Sequence, residues 1–160
     1  MKRLFFLLIS GLFLLNNISI LIADENVSVS AEISPSELIA GEEGLLTVTF
    51  NISEGFHQTR SDDFFFISFE NNAWFPMSEI IYPEGIIKDG LENFYGSVTL
   101  KANFIVSENI PSGQQTAQIQ AAWQICDEEG VCFFPEEVLI EVPVQITGET
   151  SIGNQSFITL

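Results

Sequence analysis

The fold is decided by residues 117–146, Ala117-Gln118-Ile119-Gln120-Ala121-Ala122-Trp123-Gln124-Ile125-Cys126-Asp127-Glu128-Glu129-Gly130-Val131-Cys132-Phe133-Phe134-Pro135-Glu136-Glu137-Val138-Leu139-Ile140-Glu141-Val142-Pro143-Val144-Gln145-Ile146. Ala117, Ile119, Ala121, Trp123 and Ile125 alternate with mostly polar neighbours, as do Val138, Ile140, Val142, Val144 and Ile146. A period of two gives one buried and one wet face, the pattern of a half-buried strand. Between the two runs lies a short acidic turn in which Gly130 can take a positive φ. The segment therefore predicts an antiparallel hairpin whose mouth holds Cys126 and Cys132, the only two cysteines in the chain.

The same alternation recurs upstream. Val27, Val29, Ala31 and Ile33 share a face; so do Leu46, Val48, Phe50 and Ile52, and Val98, Leu100, Ala102, Phe104 and Val106. The run 64–69, Phe64-Phe65-Phe66-Ile67-Ser68-Phe69, predicts a further strand buried on both sides, and Trp74 and Phe75 add to an aromatic core. Ser34-Pro35-Ser36, Ala40-Gly41-Glu42, Ser53-Glu54-Gly55, Pro83-Glu84-Gly85, Asp89-Gly90 and Pro111-Ser112-Gly113 supply turn chemistry. No stretch has a helical period with caps. Seven or eight strands with turns at this spacing predict an all-β, immunoglobulin-like antiparallel β-sandwich. Pro143 predicts a sheet edge or a bulge in the last strand.

The first 23 residues read as an export signal. Lys2 and Arg3 precede an apolar run over 4–15, and Ala23 stands before Asp24-Glu25, where cleavage is expected. The rival reading is an uncleaved anchor, because 4–22 is long enough to span a bilayer. Residues 24–148 then form one domain and 149–160 a polar tail. Removing the leader leaves Arg60, Lys88 and Lys101 against 22 acidic residues, a net charge of about −19. Such a surface repels nucleic acid and anionic lipid. No further apolar span follows. His57 is the only histidine, which argues against a histidine-based zinc site; the acidic turn lacks a calcium-loop spacing. Nucleophile elbows, phosphate loops and dinucleotide fingerprints are absent, and no cofactor is expected.

In an exported chain the two thiols can be a structural clamp or a redox centre. A clamp closing about seven residues contributes about 2.4 kcal/mol through the unfolded chain. A short loop at an exposed tip is also easily reached by a partner thiol. Asp127, Glu128 and Glu129 between the cysteines disfavour a thiolate, which would suit a carrier silent until a partner docks and equally a disulfide with no exchange role.

The hairpin, an aromatic, Gln124, Ile125, Cys126, five residues, Cys132, Phe133, Phe134, Pro135 and Glu136, resembles that of the N-terminal domain of the DsbD thiol:disulfide interchange reductases. Asn93-Phe94-Tyr95-Gly96 is similar to that family's cap loop, and Gly55-Phe56-His57 to the turn opening a neighbouring strand. The resemblance spans most of 27–147 and implies a periplasmic domain that receives electrons from a thioredoxin-like or membrane-embedded donor. It would pass them to oxidised periplasmic thiol proteins without a cofactor. Cys132 would form the mixed disulfides and Cys126 resolve them. Phe94, supported by Tyr95, would shield the pair, and Glu92 and His57 would line the site. Asn93 stands where a second acid is common, Phe134 replaces a proline, and Thr59 replaces a tyrosine. The chain carries no electron-transfer or thioredoxin-like domain after the sandwich, so the electrons would come from separate proteins. The competing function is a non-catalytic exported binding or adhesion sandwich with a structural disulfide. A third is a reductase dedicated to cytochrome maturation or metal delivery.

Overall fold

The computed structural model describes residues 20–23, as backbone, and 25–148. The proposed leader lies outside these residues except for 20–23, and the tail 149–160 lies outside them entirely. In chain order the strands are β1 (Ile20–Ala23), β2 (Val27–Ser34), β3 (Glu37–Ile39), β4 (Glu43–Ile52), β5 (Phe56–Thr59) and β6 (Phe66–Phe69). They continue with β7 (Ile86–Lys88), β8 (Leu91–Phe94), β9 (Ser97–Ile105), β10 (Gly113–Trp123), β11 (Ile125–Asp127) and β12 (Glu136–Thr147). Among the described residues there is no helix, so none long and apolar enough to cross a membrane.

Three four-stranded sheets result, in the orders β1-β2-β4-β9, β3-β12-β10-β6 and β11-β5-β8-β7. The first two are the sandwich. Every alternating face predicted from sequence is turned inward: Val29, Leu46, Val48, Phe50, Leu100 and Ala102 from one sheet meet Ala117, Ile119, Ala121, Ile140 and Ile146 from the other. Aromatic rings stitch the layers edge to face, Phe50 on Trp123 at 6.2 Å and Phe104 on Phe69 at 5.0 Å between centroids. The architecture is all-β and immunoglobulin-like.

Several details differ from the sequence reading. Among the described residues seven of the twelve strands (β1, β3, β5, β6, β7, β8 and β11) have only three or four residues, too short to show a period. One pair, β3 with β12, is parallel. The run at 64–69 is not buried on both sides: β6 is an edge strand whose Ile67 and Phe69 face the core while Phe66 and Ser68 are half-exposed. Phe65 and Phe75 are core, whereas Phe64 is exposed and Trp74 half-buried. Pro143 introduces no bulge, since β10 and β12 stay in one register from Gly113↔Ile146 to Trp123↔Glu136. β3 covers the other side of β12 only from Gln145 onward, so at Pro143 that side is an edge.

The third sheet positions the site. The predicted long strand 117–125 breaks at Gln124: β10 ends in the sandwich, and β11 crosses into the small sheet to pair with β5. That break carries the hairpin out of the sandwich.

Candidate functional site

The hairpin is built from a few local bonds. Cys126 and Cys132 face each other across an isolated antiparallel bridge, their Cα atoms 3.9 Å apart, and are joined as a disulfide. The Phe133 amide donates to the Ile125 carbonyl at 2.9 Å, and the Asp127 amide to the Val131 carbonyl at 3.0 Å. At the tip, the Asp127 carboxylate accepts from the amides of Glu129 (3.0 Å) and Val131 (2.8 Å) through Oδ1. Gly130 completes the turn at φ 86°. Asp127 is therefore an organiser of the turn as well as a charge beside the thiols.

Two glutamines fix where the hairpin leaves the sandwich. The Gln58 side chain is 1% exposed and its Oε1 accepts from the Gln124 amide at 2.8 Å. That amide sits at the break between β10 and β11. Gln58 Nε2 donates to the Thr59 carbonyl at 2.6 Å, and Gln124 Nε2 donates to the Phe133 carbonyl at 2.9 Å. A buried amide that satisfies a strand break is valuable because an unpaired buried N–H costs roughly 1–3 kcal/mol. Nothing in the sequence around Gln58 signals this role, because its partner is 66 residues away.

Exposure across the disulfide is asymmetric. Cys126 is 5% exposed, whereas Cys132 belongs to an exposed run. Beside Cys132 is an open recess of about 340 Å³ lined by Gln124, Cys132, Phe133 and Phe134. Phe134 is 91% exposed, and Val131 and Phe133 are also open to solvent. The Phe133 ring rests edge-on against Phe56 at 5.6 Å.

Strand register assigns the remaining predicted residues to faces. Cys126 pairs with His57, and Gln58 pairs with both Ile125 and Phe94. Successive side chains in a strand alternate faces. Ile125, Gln58 and Phe94 thus share the core-facing side, while Cys126, His57 and Tyr95 share the other. The rings agree: His57 lies 5.5 Å from Tyr95, and Phe94 lies 5.6 Å from Phe65 and 6.4 Å from Tyr82. Phe94, 3% exposed, packs in the core against Phe65 and Tyr82. Tyr95, its neighbour, is on the disulfide's side and 40% exposed.

Glu92 is bonded to the loop at Gly85 and to Arg60. Its carboxylate accepts from the Gly85 amide at 3.0 Å and pairs with Arg60 at 3.5 Å. Arg60 in turn stacks over Tyr82, 4.0 Å from the ring centroid. Glu92 anchors β8 to the loop at Gly85. The departures at Thr59 and Asn93 are complementary: Thr59 donates to Asn93 Oδ1 at 2.7 Å, directly across β5 and β8.

A β-sandwich that sets a half-exposed hairpin disulfide on its own small sheet is an immunoglobulin-like domain built around a reachable cystine. The chain belongs to the family described as thiol:disulfide interchange protein DsbD, N-terminal, whose model matches residues 24–143. Among solved structures, the N-terminal domain of Neisseria meningitidis DsbD in its reduced form is similar at a TM-score of 0.50 and 12% identity. That alignment covers 62% of this chain and 77% of the other. The N-terminal periplasmic domain of Proteus mirabilis ScsB aligns at a TM-score of 0.49 and 9% identity, over 78% of this chain and 49% of that one. No curated protein sequence matches the chain.

Proposed function

We propose that this protein is an exported thiol:disulfide interchange domain that carries reducing equivalents through Cys126 and Cys132. The observation that carries the proposal is the asymmetry of the pair: an exposed Cys132 joined to a buried Cys126. An incoming thiolate reaches Cys132 Sγ, forms a mixed disulfide there and displaces Cys126 as the leaving thiolate. The donor's second thiol then attacks its own sulfur and releases Cys132, leaving the domain reduced by two electrons and two protons. In the forward direction Cys132 attacks a client disulfide. Cys126 then attacks Cys132 Sγ and frees the client thiol. No metal or organic cofactor takes part in this exchange.

Membership of the DsbD family supports a thioredoxin-like or membrane-embedded donor and oxidised periplasmic thiol proteins as clients. The basic and apolar leader pattern supports export, with cleavage after Ala23 or retention as an anchor. His57 and Tyr95 line the disulfide's side of the sheet.

The test is the reduction potential of the Cys126–Cys132 couple, measured by differential alkylation in dithiothreitol and glutathione buffers. A value well above about −300 mV, with exchange onto a thioredoxin-like protein, supports a carrier. A lower value with no exchange makes the disulfide a structural staple and moves the function to the sandwich surface.

A further inference from the structure

We propose that the surface around Cys132 docks a partner whose reacting cysteine is flanked by a leucine-sized apolar side chain and by a basic residue. This rests on the exchange reading above and names the partner's chemistry. Phe134 is 91% exposed beside the reactive cysteine, and with Gln124, Cys132 and Phe133 it walls the recess of about 340 Å³. A space this size lies at the small end of ligand pockets and suits one or two side chains. Val131, 60% exposed, extends the apolar surface on the turn side of Cys132. An open aromatic next to the atom that must be approached has no packing role in the free domain, whereas it would be buried on docking.

Charge supplies the second half. Glu128 and Glu129 are exposed on the same turn, and the described part of the domain is strongly acidic overall. The apolar recess is therefore approached through a negative field. Such a field steers cationic partners and repels anionic ones, which a disulfide carrier experiences directly in its encounter rate. The expected match is an apolar contact with a basic rim.

The test follows oxidation of the reduced domain by symmetric tripeptide disulfides of N-acetylated, amidated Lys-Cys-Leu, Glu-Cys-Leu and Lys-Cys-Gly, with hydroxyethyl disulfide as a neutral reference. Each reaction converts the two domain thiols to the Cys126–Cys132 disulfide and the peptide disulfide to two peptide thiols. At low ionic strength Lys-Cys-Leu should react about tenfold faster than Glu-Cys-Leu, with most of that ratio lost at about 0.5 M salt. It should also outpace Lys-Cys-Gly by about fivefold, the effect of partly burying one leucine side chain. Phe134→Ala should abolish the Leu-over-Gly preference and keep the Lys-over-Glu one; Glu128→Gln with Glu129→Gln should do the reverse. Equal rates for all three peptides overturn the docking proposal while leaving exchange intact. If neither the peptides nor hydroxyethyl disulfide oxidise the domain, the exchange reading falls as well.

Discussion

The carboxylate of Asp127 closes the tip of the cysteine hairpin by accepting from the amides of Glu129 and Val131. Two such bonds at an exposed turn are worth about 1–2 kcal/mol together. Asp127→Ala should lower the denaturant midpoint accordingly. Asp127→Asn, which keeps the acceptor, should retain most of the stability. At the same scale the two cysteines should differ in reactivity. In the reduced domain Cys132 should be alkylated about tenfold faster than Cys126, because solvent access governs thiol capture. Mass spectrometry of time-quenched samples reads that ratio, and equal rates would contradict the observed burial of Cys126. Correspondingly, Cys126→Ser should trap a mixed disulfide through Cys132 more readily than Cys132→Ser traps one through Cys126.

Elements show how the small third sheet is tied to the sandwich. Gln58 on β5 reaches the Gln124 amide between β10 and β11, so one side chain bridges two sheets. Gln58→Leu keeps the volume and leaves that part-buried amide unpaired, which should cost about 1 kcal/mol in chemical denaturation. The end of β8 packs on Tyr82, whose ring stacks with Phe94 and carries Arg60 and whose hydroxyl donates to the Phe65 carbonyl at 2.7 Å. Burial, aided by the Asp62 charge and opposed by Arg60, raises the Tyr82 pKa above its ordinary value. The fold therefore favours the protonated phenol. Its contribution is fully present below the unfolded pKa of about 10 and is lost as pH rises from there through the higher folded value. Thermal melts should show an alkaline loss of stability that Tyr82→Phe reduces. That variant should also be about 1 kcal/mol less stable at neutral pH, from the lost hydrogen bond.

At the scale of the whole molecule, the core lies between the first two sheets and the disulfide lies outside it. The bridge closes a short loop, so reduction should destabilise the domain by about 2.4 kcal/mol and leave it folded. Denaturant curves with and without dithiothreitol check this; complete unfolding on reduction would rule out a carrier that must persist in both states. β1 adds a strand to the edge of the first sheet beside β2. Cleavage after Ala23 would remove that strand and return the edge to β2. N-terminal sequencing of the exported protein decides which edge it presents.

The alternating faces of β2, β4, β9, β10 and β12 were legible in the sequence because burial of one strand face imposes a period of two on the residues themselves. The cysteine spacing and the turn at Gly130 likewise located the hairpin, since both are local chemistry. The sheet switch at Gln124 was not legible: the alternation continues unbroken from Trp123 to Ile125 although the pairing partner changes. Nor was the placement of Phe94 and Tyr95. Both are aromatic and adjacent, and only the register of β8 against β5 determines which one faces the core. The sequence by itself therefore determined the long strands, the sandwich and the cysteine hairpin. Tertiary structure decided which sulfur is exposed, which ring lies on its side and which buried amide holds the hairpin, because each depends on contacts between segments far apart in the chain.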